Sequence, residues 1–153
     1  MQLQAQVCSK LDIPKTFALT TEEELLESIL VDYCYGIFSD NQLLAFAICV
    51  LNRETPRNLS SLLPQANCLD YITFDTIQVH EAYRGYGIQQ FFLQEAEHLA
   101  KRVNAPYILA TVAPHNLPSH RNFDKANYQT LRTLNMEGGT YGNAARDLVC
   151  KTL

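Results

Sequence analysis

Apolar and polar positions along the chain alternate between a helical and a strand period, and each switch marks an element. Thr20 and Thr21 each face a glutamate three residues on, Glu23 and Glu24. These overlapping capping boxes start a helix whose Leu25, Leu26, Ile29 and Leu30 recur at helical spacing, so its stripe is expected on a core. Two strand-like runs, Tyr33 to Phe38 and Leu43 to Leu51, enclose the polar stretch Ser39 to Gln42 and predict a hairpin. From Asn52 to Cys68 polarity rises and Pro56 and Pro64 break any period, which predicts a long loop with one helical turn near Leu62 and Leu63. A loop of that length serves as a lid or binding loop, or as a mobile insertion.

Leu69 to Val79 is rich in β-branched and aromatic residues, and strict alternation puts Thr73, Asp75, Ile77 and Val79 on one face. Ile88, Phe91, Phe92, Ala96, Leu99 and Val103 then form a helical stripe that Pro106 stops. Tyr107 to Val112 is a short apolar strand of the doubly buried, parallel kind, so strand, helix and strand imply a right-handed crossover. After a Pro-rich loop, Ser119 is expected to cap a short helix that ends at Asn127 in the left-handed region. Tyr128 to Met136 and Ala145 to Leu153 read as strands around the turn at Glu137 to Gly142. The pattern is of the α/β (α+β) class.

Composition narrows the partners. At 153 residues and 47% hydrophobic content the chain suits one domain over residues 1–153. Net charge is −4 with no lysine or arginine run, so no nucleic-acid partner is expected, and the acidic balance leans toward a cationic amine. Met1 to Cys8 has neither the basic start nor the apolar run of a signal peptide, and no stretch is long and apolar enough to span a bilayer. Five scattered cysteines fit a reducing cytoplasm, with Cys34 and Cys49 expected in the core. His80, His98, His115 and His120 lack ligand spacing, so no metal is expected and they read as surface histidines.

The chemistry concentrates at Ile77 to Phe92, where an apolar strand runs through a glycine-spaced turn into an amphipathic helix. Gly85 and Gly87 leave backbone bare beside the free N–H groups and positive dipole end of that helix, which suits an anion. Arg84 stands where a cation opposes the dipole unless an anion is shared. A Walker loop would need Lys-Ser/Thr where Ile88 and Gln89 stand. A dinucleotide turn would need a third glycine at Gln90 and an acid about 20 residues on, which the segment Ala105 to Ala110 lacks. A packing turn without a ligand stays open. Asp75, a carboxylate inside a strand, needs a reason too. It is a base with a raised pKa in a cleft, or a solvated or arginine-paired residue.

What remains, Arg-Gly-Tyr-Gly between strand and helix, resembles the coenzyme A pyrophosphate loop of the GNAT acetyltransferase superfamily. The run Thr111 to Ser119 followed by Asn122 to Tyr128 is similar to that superfamily's second signature, in the same order and at the same separation. The resemblance extends from about Leu69 to the carboxyl end, and the preceding helix and hairpin are compatible. It implies a mixed, mostly antiparallel sheet flanked by helices and splayed at its centre to admit acetyl-coenzyme A as co-substrate. The pantetheine would pair with Ile77, Gln78 and Val79, and the pyrophosphate would sit on Arg84, Gly85, Tyr86, Gly87, Ile88 and Gln89. Asn116 and Ser119 belong to the second signature, Asn116 on the pantetheine arm, and the helix at Asn122 and Phe123 would cover the thioester. Phe123 stands where many relatives carry an acidic tyrosine, so water, a substrate group or another tyrosine such as Tyr141 would replace it. The implied activity is direct N-acetyl transfer to a primary amine of a small molecule or peptide, with Asp75 as the base. A non-catalytic acyl-coenzyme A binding or sensing domain is the alternative. A homodimer is compatible with either.

Overall fold

The computed structural model describes residues 1–9, 19–136 and 144–153. In chain order its elements are α1 (Gln2–Ser9), α2 (Glu22–Val31), β1 (Tyr33–Ser39), β2 (Gln42–Val50), β3 (Tyr71–Val79), α3 (Ile88–Arg102), β4 (Tyr107–Val112), α4 (Leu117–Lys125), β5 (Gln129–Met136) and β6 (Ala144–Thr152). Short 3-10 turns occupy Leu59–Leu62, Cys68–Asp70 and Glu81–Tyr83. The six strands form one sheet in the order β1-β2-β3-β4-β6-β5, and β3–β4 is its parallel pair. No helix among the described residues is long and apolar enough to cross a membrane. The expected turn at Glu137 to Gly142, and Tyr141 with it, lies outside the described residues.

Local chemistry accounts for most boundaries. Asp40 and Asn41 both take positive φ, 47° and 65°, the backbone a tight two-residue hairpin requires between β1 and β2. Thr21 caps α2 reciprocally with Glu24: the Glu24 N–H donates to the threonine hydroxyl at 3.1 Å, and the Thr21 N–H donates to the carboxylate at 2.8 Å. Asn127, at φ 63°, turns the chain out of α4.

The main core lies between α3, α4 and one sheet face, where Phe92, Leu93, Ala96 and Leu99 meet Ile72, Phe74, Ile108, Ala110 and Phe123. A smaller cluster of Leu59, Leu109 and Leu148 occupies the other face. The expected long loop supplies that second cluster and is packed there. Asn58 is 1% exposed, and its amide donates to the carbonyls of Arg53, Cys68 and Tyr71.

Several placements differ from the sequence pattern. The apolar stripe of α2 faces outward, with Leu30 81% exposed, and the helix buries Ser28 instead. The reason is polar: Arg57 reaches under α2 and takes up the Ser28 hydroxyl and the Glu24 carbonyl, so that face binds an ion network rather than aliphatic groups. Phe91 is half exposed, and Leu93 and Ala100 take its place on the buried face of α3. Cys49 is fully buried in β2, whereas Cys34 lies exposed on the edge strand β1. The amino-terminal helix α1, which the apolar pattern does not announce, buries Leu3, Gln4 and Val7.

Candidate active site

The site begins with a single extra residue in β3. Ile48 pairs with Thr76, but the next residue of β2, Cys49, pairs with Phe74, so Asp75 is an unmatched bulge residue. The bulge resets the alternation. Asp75 and Thr76 both turn to the α2 side, while Ile77 and Val79 join Phe74 on the core under α3, so the four residues expected on one face divide between two.

Beside the bulge the sheet opens. Parallel pairing of β3 with β4 covers Tyr71–Tyr107, Ile72–Ile108 and Thr73–Leu109 and stops there, although β3 continues to Val79 and β4 to Val112. The His80 N–H donates to the Leu44 carbonyl at 2.8 Å, so that position bonds to β2. Strand alternation then directs the N–H groups of Ile77 and Val79 toward the opening. Gln78 does not share this edge: its backbone faces β2, and its buried amide donates to Gln4 of α1 at 2.8 Å.

At the end of β3 the glycine turn meets α3. Gly85 and Gly87 have φ of 84° and 80°, and a Cβ on either would meet no atom within 4 Å, so the surface above them is open. Gly87 caps α3 with no side-chain hydrogen bond, which leaves the first-turn N–H groups of Ile88 and Gln89 to an outside acceptor. Arg84 bends back so that its Nε donates to the Val79 carbonyl at 3.3 Å, and Tyr86 projects into solvent at 80% exposure. Bare backbone, a helix amino end and a guanidinium thus converge, the donor set an anionic diphosphate requires.

The second signature is tied to this turn by side chains. Gln89 Nε2 donates to Ser119 Oγ at 3.1 Å, and Asn122 Nδ2 donates to Gln89 Oε1 at 2.9 Å. Gln90 Nε2 donates to the Asn122 carbonyl at 2.6 Å. Asn116, not Ser119, is the cap of α4, with its Oδ1 accepting from the Ser119 N–H. Phe123 is 3% exposed and packs edge-on to Phe74 and Tyr128 beneath the bulge. The Tyr128 hydroxyl is enclosed, and burial drives its pKa upward. His120 Nε2 is enclosed 3.2 Å from the Asp147 carboxylate, so this histidine does not stand on the open surface.

Asp75 does not stand alone. Its Oδ2 accepts from Arg57 Nη2 at 2.8 Å and from Thr76 Oγ1 at 3.1 Å. Arg57 in turn donates to Ser28 Oγ at 2.6 Å and lies 3.7 Å from Asp32, whose buried carboxylate also binds Arg53 at 3.2 Å. Burial raises the Asp75 pKa, opposed but not cancelled by Arg57 and the Thr76 hydroxyl. The arginine partner left open for Asp75 is thus present, and it is Arg57; nothing in the polar stretch that carries it marked which arginine would come, and the only signal was an unexplained carboxylate in a central strand.

No curated protein matches the sequence. Among solved structures, Arabidopsis thaliana Naa50 in complex with the bisubstrate analogue CoA-Ac-MVNAL superposes with a TM-score of 0.70 at 14% identity, over 99% of this chain and 91% of that one. The ribosomal-protein-alanine N-acetyltransferase of Brucella melitensis gives 0.69 at 16% identity over 98% and 89%. A Bacillus subtilis acetyltransferase in complex with CoA gives 0.63 at 11% over 87% and 84%. Identities this low establish a shared fold. The family assignment comes from the model of the acetyltransferase (GNAT) family, which matches residues 7–128 and spans the bulge, the glycine turn and α4 together. The splayed sheet and both signatures are thus features of one inherited unit, and the chain belongs to the GNAT family of acetyltransferases.

Proposed function

We infer that the protein transfers the acetyl group of acetyl-coenzyme A directly to a primary amine of a small molecule or peptide. The observation that carries this reading is the unpaired edge of β3 ending at the open glycine turn. Ile77 and Val79 offer strand-like hydrogen bonds to the pantetheine arm, and the N–H groups from Arg84 through Gln89 take the pyrophosphate. Asn116 binds the pantetheine, and α4 at Ser119, Asn122 and Phe123 closes over the thioester. The co-substrate supplies an acetyl group already activated as a thioester.

The remaining work falls to the chain. Asp75, the carboxylate at the bulge beside the opening, takes the proton of the incoming ammonium and so frees the amine to attack. A backbone N–H near Val79 on the same edge stabilises the negative charge that develops on the acetyl oxygen. Phe123 supplies no proton, and the coenzyme leaves as a thiolate, a tolerable leaving group, which takes up the second proton that the amine nitrogen loses as the amide forms. The reading predicts a calorimetric signal with coenzyme A, and thiol release when acetyl-coenzyme A meets a panel of peptides, polyamines, aminoglycosides and amino acids. Coenzyme binding without thiol release across the panel would favour a sensing domain. No binding at all would end both readings.

A further inference from the structure

The ion network under α2 does more than neutralise Asp75. Arg57 is held between two carboxylates: one guanidinium nitrogen lies 2.8 Å from Asp75, the other 3.7 Å from Asp32. That second nitrogen is anchored to α2 by the Ser28 hydroxyl at 2.6 Å and the Glu24 carbonyl at 3.3 Å. The Asp32 side chain is fully buried and already bridged by Arg53, which also reaches Glu27 at 3.1 Å. A guanidinium with acceptors on both sides can slide toward either one without losing all its hydrogen bonds.

We propose that Arg57 is a shared counter-ion, drawn toward Asp32, Ser28 and the Glu24 carbonyl on one side and Asp75 on the other, and that this contest sets the protonation of the catalytic base. Arg57 is thereby a positioning residue acting through Asp75, and the inference rests on the reading of Asp75 as the base. Among the described residues, the groups that surround Asp75 and its partner Arg57 are these. Arg57 comes from the loop after β2, Glu24 and the end of α2 with Asp32 from above, Cys34 from β1, Cys49 from β2, and the Thr76 hydroxyl from β3 itself. Only Arg57 among them carries positive charge onto the carboxylate. An arriving ammonium competes with it for Asp75, and Asp32 with Ser28 gives the displaced guanidinium a place to go. No bond is made or broken in the exchange; one cation replaces another.

The contest predicts shifts of opposite sign. A carbon-detected NMR titration of the Asp75 carboxyl group, which needs no knowledge of the acceptor, should find its pKa about one pH unit higher in Arg57→Gln than in the native chain. Asp32→Asn removes both a competitor for Arg57 and a like charge, so it should move the pKa down, and Arg57→Lys should restore much of the native value. Asp32 also accepts from the Leu51 N–H, so Ser28→Ala, which cuts the anchor and leaves that contact alone, serves if Asp32→Asn does not fold; it too should move the pKa down. An unchanged pKa in Arg57→Gln, or an upward move in the folded Asp32 or Ser28 variant, would overturn the proposal. The base reading is judged separately, because it fails if Asp75→Asn keeps full turnover, whatever the titrations give.

Discussion

Asp75 stands at a bulge, where two consecutive side chains share a face and the strand turns its edge away from β4. Position and environment together suit the base role proposed for it: burial raises its pKa, and Arg57 and the Thr76 hydroxyl oppose that rise. Under the proposed mechanism, replacing Asp75 with Asn keeps the shape and removes the base. Turnover should fall by about a hundredfold or more, with coenzyme affinity unchanged in calorimetry. Since an aspartate works as a base only when ionised, activity should fall as pH drops through a pKa above the ordinary aspartate range. An acidic limb at or below the ordinary value would contradict the burial seen here. Gly87 offers a second single-residue test. Space above it is open, so Gly87→Ala acts through its φ of 80° alone. The expected cost is about 1–2 kcal/mol in urea unfolding, with weaker coenzyme A binding.

Among the elements, α2 and α3 illustrate opposite ways of fastening a helix. The α3 helix is held by apolar area, with Phe92, Leu93 and Ala96 wholly buried, so Leu93→Ala should cost about 2–5 kcal/mol. The α2 helix is held by its cap, Ser28 and the Arg57 network while Leu26, Ile29 and Leu30 face water. Leu30→Ser should therefore stay within about 0.5 kcal/mol of the native chain in chemical denaturation. A loss of several kcal/mol would mean that Leu30 has a packing partner. The outward stripe also explains why periodicity misassigned this face: a helical period reports where apolar residues fall, and says nothing of which side a buried guanidinium will claim.

At the scale of the whole molecule, the free edge of β3 and the glycine turn follow one another along the chain, and the more distant α4 is joined to the start of α3 through Gln89, Gln90, Ser119 and Asn122. A ligand that touches all three should stabilise the fold as a unit. At a hundredfold excess over its dissociation constant, coenzyme A should add about 2.7 kcal/mol. For a chain of this size that is a rise in Tm of roughly 5–10 °C in a scanning fluorimetry or calorimetry experiment. Cutting the stitch with Asn122→Ala should reduce that rise more than it lowers the Tm of the chain alone.

Features that depend on near neighbours along the chain can be read from residue order. The Thr21 capping box, the Asp40-Asn41 turn, the glycine-spaced entry to α3 and the left-handed Asn127 are fixed by residues within one or two turns of each other, and all are legible from spacing. The two signatures added the family, because their order along the chain is itself local information. Only the tertiary structure decided which faces these elements present and what reaches them. One unmatched residue at Asp75 inverted the alternation of β3, removed Gln78 from the open edge and brought Asp75 beside Thr76. Arg57, eighteen residues away in sequence, found Asp75 because a carboxylate leaving water needs a partner and the packed loop put one within 2.8 Å. Long-range charge pairing and strand register carry no short-range mark. The chemistry of the acceptor side was for that reason written only in three dimensions.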